Sequence, residues 1–323
     1  MFATKSMHDA VTERSPSYAI LGIDSEDRFK DYPDSLAVSS GGYNNSPYDF
    51  QITKNESMMN GFFTRLALTE VNFPWAIPNI NTTTNKINIQ WQVGAGPIQS
   101  QTLTISTAFY SPHALASALE TQIQLIPDLS SATVAYGATN EPFFTYNAVA
   151  ASTTMAFQPL PYNSAAYPYP STTKQLFYLL GFRDINTVLA ATAGGIYTFC
   201  QAIRYVDIVC SQLTYNQALK DTMSQSVARD TLCRLYLGDG PYTGTSTMNP
   251  SDPAFCPPGC APFTIYRQFT NPKFIRWLPN QPVQGNLRFE VFDDNGVSLT
   301  AMLDEFFSAR DMNWSMSLLV SED

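Results

Sequence analysis

Apolar and polar residues alternate strictly in several short segments of this 323-residue chain. The clearest case is residues 86–93, where isoleucine and tryptophan alternate with asparagine and glutamine. Successive side chains on a strand point to opposite faces, so this period predicts strands with one buried face. The apolar positions are Ile87, Ile89, Trp91 and Val93; Leu103 and Ile105; Leu287, Phe289 and Val291; and Trp314, Met316, Leu318 and Val320. With an apolar stretch at residues 18–23, they predict one β-sandwich that uses both ends of the chain.

Two short helices are predicted among these strands. Ser111 is a preferred N-cap residue and Pro112 a preferred first helical residue, and apolar residues follow at helical spacing. Those apolar residues are Leu115, Leu119 and Ile123. A second helix is predicted over residues 173–180, begun by serine or threonine and ended by Gly181. Helices this short leave the fold class as all-β.

The length of the chain favours one large domain with added loops, since it is short for two sandwiches in tandem. Residues 1–16 are polar and lack apolar periodicity, so we expect a flexible N-terminal arm, followed by one sandwich domain over residues 17–323. Two surface excursions are expected within that domain. They are residues 159–172, which hold four prolines, and residues 238–262, which are rich in Gly, Pro, Ser and Thr.

Acidic residues outnumber basic ones, 27 against 18, which gives a net charge of −9. A broad phosphate-binding face needs the opposite balance, so direct contact with nucleic acid is not expected. No window of about 20 unbroken apolar residues occurs, and the first residues lack the apolar core of a secretion signal. We therefore expect a soluble protein that is not exported by its own N-terminus. Five cysteines in varied contexts are unlike a disulfide framework and fit a reducing compartment.

Histidine and cysteine, the usual residues of catalytic triads and zinc sites, occur in patterns that favour neither. His8 lies in the arm and His113 in the first turn of the first predicted helix, without a partner at the spacing of a known site. Cys256 and Cys260 are the only close cysteine pair, and a second ligand pair is missing. A loop stiffened by prolines is the simpler interpretation, and a disulfide the lesser one. We expect no metal and no cofactor.

Neighbouring acidic residues occur at Asp293-Asp294 and at Asp304-Glu305. A glycosidase needs two carboxylates that face each other across a cleft, whereas adjacent strand residues point to opposite faces. The first pair is better explained by a turn, because the Asn-Gly pair directly after it tolerates positive φ and predicts a hairpin. The second pair fits a loop or short helix before the last strand. We therefore predict no catalytic residue.

Nucleotide binding has no support either. Residues 94–96, Gly-Ala-Gly, lack the later glycine and the following helix of a dinucleotide site, and no GKS or GKT sequence occurs. No cofactor-binding residue is predicted. Tyr162, Tyr167 and Tyr169 suit either stacking on sugars or packing against a neighbouring subunit, and the sequence does not separate the two.

Four segments of the chain resemble the minor capsid, or penton, proteins of virophages, polinton-like viruses and their large DNA-virus relatives. In chain order they are LTEVNFPWAIPNI with the polar TTTN and the INIQW strand behind it, YSPHALASALETQI, LFYLLGF, and PKFIRWLPNQPVQGNLRFEVFDDNGVSL. The resemblance rests on their order and spacing and spans most of the chain. It implies a single jelly-roll β-sandwich with short helices and long loop insertions.

The resemblance also implies a function. Five copies of such a protein form a ring, a homopentamer, at each five-fold vertex of an icosahedral virion and contact the double-jelly-roll major capsid proteins around it. At 323 residues the chain is too short to be that two-barrel protein. The termini of these proteins extend beneath the shell, so residues 1–16 are expected to contact neighbours, other minor capsid proteins included. The alternative is a glycan-binding or host-attachment β-sandwich protein of a virion; a β-sandwich hydrolase is disfavoured because no catalytic set is present.

Overall fold

The computed structural model describes residues 18–29, 46–53, 58, 63–137, 143–148, 152–161, 164–165, 175–183, 190, 192–196, 203–214, 231–237, 252, 260–277, 283, 286–302 and 312–322. The expected arm, residues 1–16, and most of the expected excursions at 159–172 and 238–262 lie outside these residues. The described residues form fifteen strands, numbered here in chain order. None of the helices described is both long enough and apolar enough to cross a membrane.

The first sheet joins the two ends of the chain. Its strands are β1 (Tyr18–Asp24), β3 (Arg65–Trp75), β12 (Phe263–Gln268), β13 (Phe274–Arg276) and β15 (Ser315–Ser321). They lie in the order β1, β15, β3, β12, and β13 pairs with β3 alongside β12. All neighbouring pairs are antiparallel, and Tyr18 in the first strand lies opposite Ser321 in the last.

The second sheet completes the sandwich. Its strands are β2 (Asp49–Thr53), β10 (Tyr205–Val209), β11 (Thr231–Tyr236) and β14 (Asn286–Asp293), in the order β11, β10, β14, β2. In chain order the strands alternate between the two sheets except at β10 and β11, and strands from opposite ends of the chain become neighbours. With β12 and β13 counted as one position, these eight positions make a jelly roll. The predicted all-β jelly-roll sandwich is confirmed.

Aromatic rings occupy the centre of the sandwich core. Trp314 is buried there and contacts three rings, with centroid distances of 5.6 Å to Phe50, 6.0 Å to Phe73 and 6.1 Å to Phe289. Its indole N–H donates a 2.6 Å hydrogen bond to the carbonyl oxygen of Pro47. Because a buried indole N–H needs a partner, this bond allows a tryptophan to fill the centre of the core.

The predicted alternation is confirmed at every strand for which it was made. The buried positions are Ile87, Ile89 and Trp91; Leu103 and Ile105; Leu287, Phe289 and Val291; and Met316, Leu318 and Val320, with Trp314 directly before the last strand. Val93 is the exception, with 45% of its surface exposed at the end of its strand. The period of two therefore identified the buried face of each strand.

Between β3 and β10, the described residues from 80 to 196 form two further sheets, and they are called the inserted unit below. Its strands are β4 (Lys86–Val93), β5 (Gln99–Thr104), β6 (Thr133–Tyr136), β7 (Phe143–Asn147), β8 (Thr153–Gln158) and β9 (Thr192–Ile196). One sheet has the order β5, β4, β8 and the other the order β6, β7, β9. Apolar side chains of this unit form a cluster separate from that of the sandwich. The predicted strand at 86–93 therefore packs in a different cluster from the strands near the C-terminus, and not with them in one sandwich.

The helices are short, as predicted. Helix α1 spans Pro112–Gln124, and the hydroxyl of Ser111 accepts the N–H of Ala114 at 3.2 Å, which confirms the predicted cap. Helix α2 covers only Leu176–Leu179 of the predicted 173–180 and is followed by Gly181, whose φ of 87° favours glycine. The remaining helical segments are α3 (Ser211–Thr214) and the 3-10 turns Ser25–Phe29, Pro127–Leu129 and Leu299–Met302.

The turn after β14 differs from the predicted hairpin. Of its residues only Gly296 has a positive φ, of 82°, so the pair Asn295-Gly296 does not form the expected turn type. The carboxylate of Asp293 accepts the backbone N–H groups of Asn295 and Val297, at 2.9 and 2.7 Å. Two backbone hydrogen bonds also close the turn: the N–H of Asp293 donates to the carbonyl of Val297 at 2.9 Å, and the N–H of Gly296 donates to the carbonyl of Asp293 at 3.0 Å. Beyond the turn, a single bridge joins Phe292 to Ser298 before a 3-10 turn begins.

Buried side-chain amides hold the connection from β3 into the inserted unit. The side-chain oxygen of Asn81 accepts the N–H and the hydroxyl of Thr83, at 2.9 and 2.7 Å, and its amide nitrogen donates to the carbonyl of Pro78 at 3.1 Å. Asn79 exchanges two hydrogen bonds with the backbone of Tyr110, at 2.8 and 2.9 Å. The polar run in this part of the sequence is therefore a buried network that fixes the path of the chain.

Candidate assembly surface

The structure gives His113 a packing role. Its ring lies in the first turn of α1 and meets the ring of Tyr136 edge-on, with 5.2 Å between centroids. An edge-to-face contact of this kind stabilises the helix against the neighbouring strand β6. His8, the other histidine weighed for catalysis, lies outside the described residues.

The adjacent carboxylates at Asp293 and Asp294 serve the turn after β14. The carboxylate of Asp293 accepts two backbone N–H groups of this turn. Asp294 is buried and accepts a 3.0 Å hydrogen bond from Nε of Arg204. The two carboxylates have different partners and do not face each other across a cleft, which agrees with the interpretation of this pair as part of a turn. Residues 304–305 lie outside the described residues.

The cysteines that the structure describes are all buried. Cys210 and Cys233 are free thiols, and burial raises the pKa of each from 9.0 to about 12. Cys260 is disulfide-bonded, whereas the sequence favoured reduced cysteines. Thiolates, not disulfide sulfurs, bind zinc. The described part of the chain holds no group of three or more His, Cys, Asp or Glu placed to bind a metal ion. Cys256 lies outside that part.

The Gly-Ala-Gly sequence at residues 94–96 forms the turn between β4 and β5. Gly94 has a φ of 57°, and the N–H of Gly96 donates to the carbonyl of Val93 at 3.0 Å. These glycines serve a hairpin and not a phosphate-binding loop. The three tyrosines weighed for sugar stacking, Tyr162, Tyr167 and Tyr169, lie outside the described residues.

Exposed large apolar side chains are concentrated on the two edges of the first sheet. Among the described residues, eight such side chains are exposed, and four of them belong to β1, β12 and β13. These four are Tyr18 (77% exposed), Ile20 (69%), Tyr266 (61%) and Phe274 (47%). Strand β1 is one edge of the sheet, and β12 with β13 is the other. Both edges thus present apolar surface.

The β1 edge is apolar and uncharged over its first six residues, and its last residue is Asp24. Residues 18–23 contain no acidic or basic side chain, and the first three residues of the strand are exposed. Soluble proteins usually protect an edge strand with charges, proline or a bulge, because its free backbone groups and apolar side chains otherwise pair with other chains. An unprotected edge of this kind is typical of a contact surface.

The opposite edge combines an apolar side chain with basic ones. Phe274 in β13 lies between Lys273 and the exposed Arg276 along the chain. The guanidinium of Arg65, on the neighbouring strand β3, lies over the ring of Phe274, 5.4 Å from its centroid, within the range of a cation–π contact. The part of this edge around β13 is therefore basic, whereas residues 18–23 of β1 carry no charge.

Two rows of side chains connect these edges across the outer face of the sheet. In direct register, one row runs Ile20, Leu319, Ala67, Phe274, and the next runs Tyr18, Ser321, Arg65, Arg276. Directly opposed strand residues have Cβ atoms about 5 Å apart, so each row is continuous. An apolar row beside a tyrosine–arginine row spans the sheet from edge to edge.

No protein-family model matches this chain, and no curated protein sequence matches it. Among solved structures, the chain is similar to the mavirus penton protein, known from a crystal structure of its selenomethionine form. The superposition covers 96% of this chain and 100% of that chain, with a TM-score of 0.49 and 9% sequence identity.

Sequence reasoning missed the two edges as a surface. The apolar stretch at residues 18–23 was visible, but its position at a sheet edge depends on its pairing with residues 315–321. The opposite edge, by contrast, left a local signal. Phe274, Ile275 and Arg276 alternate in the sequence, and the structure exposes the first and third and buries the second.

Proposed function

We propose that this chain is a structural, non-catalytic capsid protein that forms the five-fold vertex of an icosahedral virion. The observation that carries the proposal is the jelly-roll sandwich whose first sheet exposes apolar side chains on both of its edges. Jelly rolls of eight strands are a recurrent fold of viral capsid proteins. A subunit in a closed ring repeats one contact between two different surfaces, and the two edges supply two such surfaces.

The composition supports the same role. Only 14% of the residues are charged, whereas 13% are aromatic. The buried centres of protein–protein interfaces are depleted in charged residues and enriched in aromatic ones. A chain that is surrounded by neighbours in a shell tolerates this composition better than one that remains alone in solution.

The proposed partners are four further copies of the chain and the double-jelly-roll major capsid proteins around the vertex. Residues 1–16 are proposed to contact neighbouring capsid proteins beneath the shell, other minor capsid proteins included. The proposed location is the capsid vertex of the virion, after assembly inside the host cell. The role requires no cofactor, no metal and no direct contact with nucleic acid.

The experiment is to produce the chain together with the major capsid protein of its own virus and to image the particles. We expect five copies of the jelly roll at each five-fold vertex, and a hole at the vertices of particles made without the chain. The native mass of the purified protein at high concentration provides a second measurement. Finding the chain only at positions between vertices would contradict the proposal.

A further inference from the structure

We propose that the ring is built by one head-to-tail contact, in which the β1 edge of one copy meets the β12–β13 edge of the next. The occupant of each exposed edge is thus a second copy of this chain. The inference rests on the proposed function, because it assumes that copies of the chain form a ring. It adds the surfaces and the residues through which they do so.

The first argument is the placement of the exposed apolar side chains. Four of the eight in the described residues lie on these two edges, and the edges are at opposite sides of one sheet. A contact between identical surfaces would use one of them and leave the other in water. A head-to-tail contact covers both in every copy and repeats until the rotation closes.

The second argument is the direction of the edge strands and the position of their residues along that direction. β1 is antiparallel to β15, β15 to β3, and β3 to β13, so β1 and β13 run in opposite directions. Ile20 and Phe274 end the same cross-strand row, and so do Tyr18 and Arg276. The proposed ring has its axis along the strands. Rotation about such an axis keeps each residue at the same height along the axis, so it brings each of these pairs together across the contact.

The third argument is the chemistry of the two pairs. Ile20 against Phe274 buries two apolar side chains that are otherwise exposed. Arg276 against Tyr18 places a guanidinium beside an aromatic ring, which is the contact that Arg65 already makes with Phe274 within one copy. Residues 18–23 of β1 carry no charge, so they meet the basic residues around β13 without any pairing of like charges.

The first test replaces Ile20 and Phe274 by serine, one at a time. Ile20 is 69% exposed and Phe274 is 47% exposed, so the melting temperature of each variant should stay close to that of the parent. We expect the ring fraction, measured by native mass spectrometry and by occupancy of particle vertices, to fall at least tenfold in each variant. Ile98→Ser is the matched control, because Ile98 is 58% exposed but lies outside this sheet, and it should leave ring formation unchanged.

The second test is cross-linking of the double variant Ile20→Cys/Phe274→Cys with a short bismaleimide. A head-to-tail contact gives a ladder of covalent oligomers that ends at the closed ring, and each single variant, like the parent, gives no ladder. Dimers from the Ile20→Cys variant alone would show that identical edges meet and would overturn the proposal. A second outcome would overturn this contact but leave the vertex role intact. In that outcome rings form normally, the double cysteine variant gives no ladder, and both serine variants assemble as well as the parent. A chain that never joins another copy, even in particles, would overturn both.

Discussion

The guanidinium of Arg234 donates two hydrogen bonds to the carboxylate of Asp207, at 2.7 and 2.9 Å. The carboxylate has no contact with solvent, and the guanidinium also lies 3.9 Å from the centroid of the Tyr205 ring. Arg288 and Asp49 make the same bidentate arrangement in the same sheet, at 3.1 Å for each bond, but on an exposed face. The two pairs differ mainly in burial, so they form a matched comparison.

Replacing Arg234 by methionine is expected to destabilise the protein by about 3–5 kcal/mol, because it removes the positive charge and the two hydrogen bonds that the buried carboxylate of Asp207 receives from Arg234. Replacing Arg288 by methionine is expected to cost less than about 1 kcal/mol, since water solvates the partly exposed Asp49. Urea unfolding of both variants measures the difference. Equal losses in stability would show that burial does not distinguish these pairs.

Replacing Trp314 by serine is expected to cost about 3–5 kcal/mol, because it leaves a large cavity among Phe50, Phe73 and Phe289. The neighbouring change Ser315→Ala lies on the other face of the strand and is expected to cost a few tenths of a kcal/mol, roughly the effect of a surface change. Thermal unfolding of the two variants tests the register of the last strand. Equal melting temperatures would mean that this register is wrong.

Replacing Asn81 by alanine is expected to cost about 2 kcal/mol, because it removes the buried partners of Thr83 and Pro78. Asn88→Ala is the control. Asn88 lies half-buried on the wet face of β4, where it accepts one hydrogen bond from Ser100 at 3.0 Å, and its loss should cost under about 0.5 kcal/mol. A smaller loss for Asn81→Ala than for Asn88→Ala in denaturant titrations would show that the amide network contributes little.

Alkaline pH is expected to lower the stability of the protein through the buried thiols of Cys210 and Cys233. Their folded pKa, raised to about 12 by burial, exceeds the ordinary value of 9.0, so the unfolded chain loses these protons first. The stabilisation is complete below pH 9 and is lost as pH rises towards 12, at up to about 1.4 kcal/mol per pH unit for each thiol. Unfolding free energies from pH 8.5 to 10 should fall less steeply for Cys210→Ala/Cys233→Ala than for the parent. Identical slopes would contradict this assignment.

Deleting residues 1–15 is expected to leave the stability of the sandwich within about 0.5 kcal/mol of the parent, the usual range for surface changes. The same deletion is expected to reduce incorporation into particles, because these residues are proposed to contact neighbours. Thermal unfolding and quantification of the chain in purified particles measure the two effects separately. A deletion that unfolds the protein would assign these residues to the core, and normal incorporation would exclude an assembly contact.

Period-two alternation predicted which face of a strand is buried but not which sheet the strand joins. Ile87 and Met316 follow the same pattern in sequence, yet one packs in the inserted unit and the other in the sandwich. Strand pairing depends on contacts distant in sequence, which a local pattern does not contain. The cap at Ser111 was predictable because a cap is made by residues close together in the chain.

The buried polar residues were beyond prediction from the sequence. Asp207 lies in a strand whose other four residues are apolar or aromatic, and its partner Arg234 is supplied by the neighbouring strand. Asn81 lies in a polar run of the sequence, and such runs are typical of solvated loops, yet its side chain is buried. The hydrogen-bond partners of Asp207 and Asn81 come close to them only when the chain is folded.

Because Tyr18 pairs with Ser321, the first sheet can form only after almost all of the given sequence has been synthesised on the ribosome. About 300 residues separate the two strands, and translation at ~5–20 residues per second needs roughly 15 to 60 s to make them. Strands β4 to β8 pair over much shorter separations, so the inserted unit has its partners long before the sandwich does. Strand β15 lies between β1 and β3 in the first sheet, so a chain whose synthesis stops before β15 lacks the strand that links them. Such an incomplete product cannot form the sheet whose edges carry the proposed contact, and it is therefore excluded from the proposed ring.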